Sequence, residues 1–160
     1  VKGVHPLIRS VHADEVYPWS LLLDADPDKA IVEGYLDQSQ VLIYEEKNTV
    51  IGIVVFQQQL DTWEIMNIAV APDHQNRGIG RRLLQAVEDT LLATAAPETP
   101  IRLLIKTGDH SPARFLYQKQ GFTIFSCQKN YFVDHYAEPI YEEGRQLFDQ
   151  ITLVKHLIRS

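Results

Sequence analysis

The sequence predicts a mixed α/β (α+β) fold, with one central mixed sheet of about seven strands and about four flanking helices. Three observations carry that prediction. Between residues 40 and 70, three runs rich in β-branched and aromatic side chains follow one another across short turns, the pattern of an antiparallel meander. A glycine loop then leads into an apolar stripe at helical spacing, Leu83, Leu84, Val87, Leu91 and Leu92. The short apolar run 101–105 follows that helix, and a helical connection makes it parallel to the strand before the loop.

Each element has a local reason. Residues 6–11 alternate through Leu7, Ile8 and Val11 as a first strand, which the polar residues 12–15 interrupt. Tyr17, Trp19, Leu21, Leu22 and Leu23 form an apolar patch of helical character. Asp26 followed by Pro27 has the order of a cap and a first-turn proline, which predicts a helix to about Leu36 with Ile31, Val32 and Tyr35 at helical spacing. Residues 40–45 and 50–59 are strands joined by a hairpin turn at 46–49, and 62–70 is the third. The helix from Gly80 ends near Ala96, because Pro97 and Pro100 cannot continue it. Ser111 and Pro112 open another helix, carrying Phe115, Leu116 and Tyr117, which Gly121 stops. Residues 122–132 read as a long strand, 134–144 as an acidic turn region around Pro139, and 147–157 as the closing strand.

The 160 residues, 45% of them hydrophobic, fit one domain over 1–160 with a single site. A net charge of −6 leaves no general basic surface for nucleic acid and leans toward a cationic or amine-bearing partner, although solubility alone accounts for it. Cys127 is the only cysteine, so no internal disulfide forms, and a reducing cytoplasm is expected. No apolar run approaches the ~20 residues of a membrane span, and no basic-then-apolar leader opens the chain. A soluble cytoplasmic protein without a membrane partner is the expectation. The six histidines lack metal-site spacing, so no metal is expected.

The stretch N-I-A-V-A-P-D-H-Q-N-R-G-I-G-R, from Asn67 to Arg81, is the candidate site. Strand, basic glycine loop and helix follow in that order. Gly78 and Gly80 let a ligand approach the backbone, and the first N–H groups of a helix carry partial positive charge, which suits a phosphate or pyrophosphate. Taken alone, the loop is equally an ordinary strand-to-helix turn.

Two blocks decide between these. Q-N-R-G-I-G at 75–80 has Gln, two residues, Gly, one residue and Gly, and S-P-A-R-F-L-Y-Q-K-Q-G-F at 111–122 has Ala113, Leu116, Tyr117, Gly121 and Phe122 in the register A-x-x-L-Y-x-x-x-G-F. With the element order, they make the chain resemble the general N-acetyltransferase (GNAT) superfamily. The resemblance implies the GNAT fold, with the parallel strand pair splayed at the cofactor site, acetyl-CoA as co-substrate, and direct acetyl transfer to a primary amine. It implies that Gln75, Asn76, Arg77, Gly78, Ile79, Gly80 and Arg81 hold the pyrophosphate, Arg77 and Arg81 adding side-chain charge where they are not simply solvated. Backbone groups near Ile68 and Val70 would bond the pantetheine arm, and one N–H there would polarise the thioester carbonyl. Tyr117 matches the family's general acid. Glu64 is the candidate base, since period-two alternation puts it on one face with Met66 and Ile68; an exposed strand glutamate is the alternative.

Departures from the pattern bear on the acceptor. His110 stands seven residues before the tyrosine, where many relatives have Asn, and reads by default as a polar loop residue, as His74 does. Asp134 and His135 are a charge-relay pair or simply an acidic turn. By resemblance, residues 16–36 and the strands after Phe122 wall the acceptor site. The segments 129–132 and 148–153 are similar to the tail of ribosomal-protein-alanine N-acetyltransferases, which implies a protein N-terminus as acceptor and Tyr131 as its contact. The acidic region 134–144 departs from that subgroup. Glu138, Glu142 and Glu143 would suit a small polyamine or aminoglycoside-like base, or they form a solvated loop. A GNAT-shaped acyl-CoA sensor or interaction module is the rival class, and a homodimer is a family prior.

Overall fold

The computed structural model describes residues 7–159, so Pro6 of the expected first strand lies outside the described residues. Strand β1 (Leu7–Ser10) is followed by helices α1 (Trp19–Ala25) and α2 (Lys29–Leu36). The meander is β2 (Gln40–Glu46), β3 (Thr49–Gln58) and β4 (Trp63–Val70). Helix α3 (Ile79–Thr94), strand β5 (Ile101–Gly108) and helix α4 (Ala113–Lys119) come next. Strand β6 (Thr123–Gln128), helix α5 (Tyr131–His135), the short hairpin β7 (Tyr141–Glu142) and β8 (Arg145–Gln146), and β9 (Gln150–Leu157) complete the chain.

Seven strands form the main sheet in the order β1-β2-β3-β4-β5-β9-β6. Only β4 and β5 run parallel; the other neighbours are antiparallel. Lys47 and Asn48 both take positive φ (52° and 63°), the two-residue turn whose twist matches the strands it joins.

Helix α3 lies on one face of the sheet. Its Leu83, Leu84, Val87 and Leu91 pack into the cluster that holds Val54, Phe56, Ile65, Leu103 and Leu153. On the other face, Leu21, Leu22, Val32 and Leu36 of α1 and α2 pack with Ile43, Ile53 and Val55. A β3 strand buried on both faces explains its nearly continuous apolar sequence.

Several boundaries differ from the sequence expectation, and β5 runs three residues past the expected 101–105. The cap of α2 is Asp28, whose carboxylate accepts the N–H groups of Ala30 (3.0 Å) and Ile31 (3.3 Å), while Asp26 is occupied by other partners. The expected strand 122–132 stops at Gln128. There Asn130 turns to φ 57°, its N–H donating to the Asp149 carboxylate at 3.0 Å, and the chain enters α5. The closing strand begins at Gln150, three residues later than expected, with Leu147 instead buried against Gly108.

One irregularity shapes the site. Val55 pairs with Asn67 and Phe56 with Ile65, so Met66 is an extra residue that bulges out of β4. The parallel pairing of β4 with β5 ends at the same point, Ile65 with Ile105, although both strands continue. The bulge also inverts the alternation. Ile65, Ile68 and Val70 belong to the α3 face, whereas Met66 and Ala69 belong to the α1–α2 face. Glu64 therefore does not share a face with Ile68, as strict period two implied.

Candidate active site

Where β4 and β5 part, they open a cleft of about 630 Å³. Its walls include the two strands, the connection between α1 and α2, α2, α4, α5 and the β7 segment. Glu64, Ile68, Tyr117 and Tyr131, singled out from sequence on separate grounds, all line it. Val70, the last residue of β4, and residues 75–81, which lead into α3, lie outside that lining.

The loop is built by backbone conformation. After a short 3-10 turn at Pro72–His74, Asn76 (φ 62°) and Gly78 (φ 81°) take left-handed values, and α3 begins at Ile79. Its first helical hydrogen bond runs from the Arg82 N–H to the Gly78 carbonyl at 3.1 Å, and no side chain caps the helix among the described residues. The N–H groups before Arg82 thus point out of the helix with the positive end of its dipole. The two glycines serve different ends. A Cβ at Gly78 would meet nothing within 4 Å, so its requirement is conformational; one at Gly80 would meet Leu116 at 3.1 Å, so its requirement is the packing of α3 on α4.

The loop side chains are tethered. Arg77 pairs with Glu46 (2.9 Å), holding that carboxyl below its usual range, and also touches the His74 ring at 2.7 Å. Arg81 donates to the Gln120 side chain at 3.3 Å. Gln75 donates to the Val70 carbonyl at 3.1 Å, bracing the loop against the end of β4.

Within the cleft, Glu64 is 9% exposed, and its burial pushes the carboxyl up, against the pull of Lys106 at 3.6 Å. Burial pushes the Tyr117 phenol up as well, and the nearby Glu142 adds to the shift. Glu142 is itself held by the Ser111 hydroxyl, which donates at 3.0 Å. Of the acidic region, Glu142 reaches the cleft, while Glu143 is an exposed turn residue with φ 52°. Tyr131 stacks on His135 with ring centres 4.2 Å apart, and His135 bonds the Tyr131 carbonyl, not Asp134. His110 lies 3.5 Å from Asp109 at the surface, and His74 is the neighbour of Arg77.

Side chains that the sequence did not single out for this role also line the cleft, Asp26, Tyr35, Asn67 and Tyr136 among them. The Asn67 amide donates to the Leu22 carbonyl and the Tyr35 hydroxyl, both at 3.0 Å. The Tyr136 hydroxyl donates to Asp26 at 3.2 Å. A polar Asn in the apolar second half of β4 was the one signal available in sequence. Among the described residues, no group of three or more His, Cys, Asp or Glu is arranged to hold a metal, and no helix is long and apolar enough to cross a membrane.

A profile of the acetyltransferase (GNAT) domain matches residues 37–124. The uncharacterized N-acetyltransferase YvbK of Bacillus subtilis (strain 168) is 36% identical over 143 residues, 88% of this chain and 88% of its own. The ribosomal protein bS18-alanine N-acetyltransferase of Haemophilus influenzae is 33% identical over 87 residues, 54% of this chain and 57% of its own. Among solved structures, a GNAT family acetyltransferase from Elizabethkingia anophelis with acetyl-CoA bound superposes with a TM-score of 0.87 at 38% identity, covering 95% of this chain and 98% of that one.

Proposed function

Because the chain belongs to the GNAT family of acetyltransferases, we propose that it moves the acetyl group of acetyl-CoA directly to a primary amine in the cleft between β4 and β5. One observation carries this reading: the divergence of β4 from β5 past Ile65 gathers Glu64, Ile68 and Tyr117 around a single cleft.

The loop 75–81 takes the pyrophosphate on the uncapped N–H groups of α3, with the glycine conformation at Gly78 admitting it. Arg77 and Arg81 add positive charge beside it while their own tethers hold the loop in shape. Beyond Ile65, the β4 edge that faced β5 is unpaired, so backbone groups near Ile68 and Val70 take the extended pantetheine arm as an added strand. An N–H there donates to the thioester carbonyl and stabilises the oxyanion as it forms.

Glu64 removes a proton from the incoming ammonium, directly or through water, and the amine nitrogen bonds to the acyl carbon. The carbon–sulfur bond then breaks, Tyr117 passes its phenolic proton to the departing thiolate, and the second proton of the acylated nitrogen returns to the tyrosinate, leaving the neutral amide. The raised phenol is protonated at neutral pH, the state this step requires. Tyr131 contacts the acceptor from α5.

The test is release of free thiol from acetyl-CoA by the purified protein, with a panel of small amines and N-terminal peptides. Turnover on an amine is expected. Tight acetyl-CoA binding without turnover on any amine class would support an acyl-CoA sensor instead, and absence of binding would sink both readings.

A further inference from the structure

The titratable side chains lining the cleft are unbalanced. Asp24, Asp26, Glu64 and Glu142 face it with Lys106 as the one Lys or Arg among the described lining residues. Lys106 already lies 3.6 Å from Glu64. A single reacting ammonium therefore leaves an excess of negative charge, and much of it sits on the wall formed by the end of α1.

That wall is built rather than incidental. Asp26 accepts the Tyr136 hydroxyl at 3.2 Å and the Asp28 N–H at 3.4 Å, and the Tyr35 hydroxyl also faces it. Burial holds the Asp26 carboxyl above its usual range, so a cation beside it would restore the solvation it has lost. The aromatic rings of Tyr131, Phe132 and Tyr136 stand on the same cleft, packed against one another at 5.2 Å and 5.8 Å for the first and last neighbouring pairs. Such faces attract alkylammonium groups.

A separate observation asks for a donor. Asn67 is 5% exposed and lines this cleft. The Leu22 carbonyl can only accept, so it orients Nδ2 toward itself and leaves Oδ1 pointing elsewhere. That Oδ1 is buried and has no hydrogen-bond partner among the described residues. A buried acceptor without a donor is destabilising, and an N–H group entering the cleft relieves it.

We infer that the acceptor is a small polycationic amine, carrying at least one ammonium besides the one acetylated, and that the wall formed by Asp24, Asp26 and the aromatic rings around Tyr136 holds this second cation. The inference rests on the transferase reading for the identity of the reacting group, but the cation wall can be tested without transfer.

Cadaverine and pentylamine have the same carbon chain and differ by one ammonium. With the intact chain and acetyl-CoA, cadaverine is expected to exceed pentylamine in kcat/KM by about tenfold or more, through a lower KM. In Asp26→Asn that ratio should fall toward one, with retained acetyl-CoA binding showing that the variant is folded. If Asp26→Asn does not fold, Asp24→Asn at its exposed position carries the same comparison. A ratio near one in the unaltered protein, a ratio untouched by the carboxylate variants, or an N-terminal peptide outpacing cadaverine would each overturn the inference. Calorimetry with hexamethonium and hexyltrimethylammonium, neither of which can be acetylated, separates the two readings. Tighter hexamethonium binding without turnover on any amine would sink the transferase and keep the cation wall; equal binding of the two would sink the wall whatever the turnover.

Discussion

At the scale of single residues, two cleft groups have opposite duties in the proposed transfer, and burial shifts both upward. Tyr117→Phe removes the proton donor and little volume, so kcat should fall about 100-fold while acetyl-CoA binding by calorimetry stays the same. An unchanged kcat would show that the phenol is not the acid. Glu64 must be ionised to take a proton, and burial raises its folded-state pKa above the unfolded value. The rate should therefore drop with falling pH at an ionisation above the ordinary carboxylate range, and Glu64→Gln should abolish that limb. The same shift has a stability consequence. The folded chain binds this proton more readily than the unfolded one, so stability falls as pH rises through the window between the two values. Glu64→Gln, free of the desolvated charge, should melt higher at neutral pH, with the gap to the unaltered protein closing at acid pH. Equal gaps at both pH values would show that Glu64 is not the group responsible.

At the scale of elements, the glycine loop sits close to α4: a Cβ added at Gly80 would meet the side chain of Leu116, one residue before Tyr117. Gly78→Ala forces a Cβ into the left-handed region in open space, at a cost of about 1 kcal/mol, and reorients the α3 N-terminus. Its expected signature is a raised KM for acetyl-CoA with kcat little changed. Gly80→Ala puts a methyl 3.1 Å from the end of the Leu116 side chain and should lower kcat too, because Leu116 must shift beside Tyr117. Steady-state kinetics on the pair distinguishes these, and identical kinetic signatures would deny the separate duties of the two glycines.

At the scale of the whole molecule, a buried polar cluster ties the glycine loop and α3 to the end of α4 and to β9. Glu88 of α3, 5% exposed, accepts Lys155 of β9 at 2.8 Å and the Gln120 amide at 3.1 Å, while Lys155 also donates to the Gln120 carbonyl. Gln120 in turn accepts from Arg81 of the loop. Glu88→Ala strands a largely buried ammonium and should cost about 3 kcal/mol in urea unfolding. A loss below about 0.5 kcal/mol, the range of an ordinary surface change, would mean that the cluster does not bind the elements together.

Much of this architecture is written in local chemistry. The meander, the Lys47–Asn48 turn, the start of α3 after Gly78 and the cap-and-proline order at Ser111 and Pro112 all follow from side-chain period and backbone preference over a few neighbouring residues. The motif blocks around Gly78 and Tyr117 are equally local, so the family, the fold and the loop are legible in the chain alone. What the tertiary structure decided depends on partners distant in sequence. Asp26 reads as a helix cap until Tyr136, 110 residues on, donates to it and Asp28 takes the cap. The strand expected through Phe132 ends because Asp149 captures the Asn130 N–H. The bulge at Met66 is a matter of register against β3, and it turns Ile68 away from the face of Glu64. Local preference cannot encode that register, because it is set by two strands fitting their side chains to two different helical layers at once.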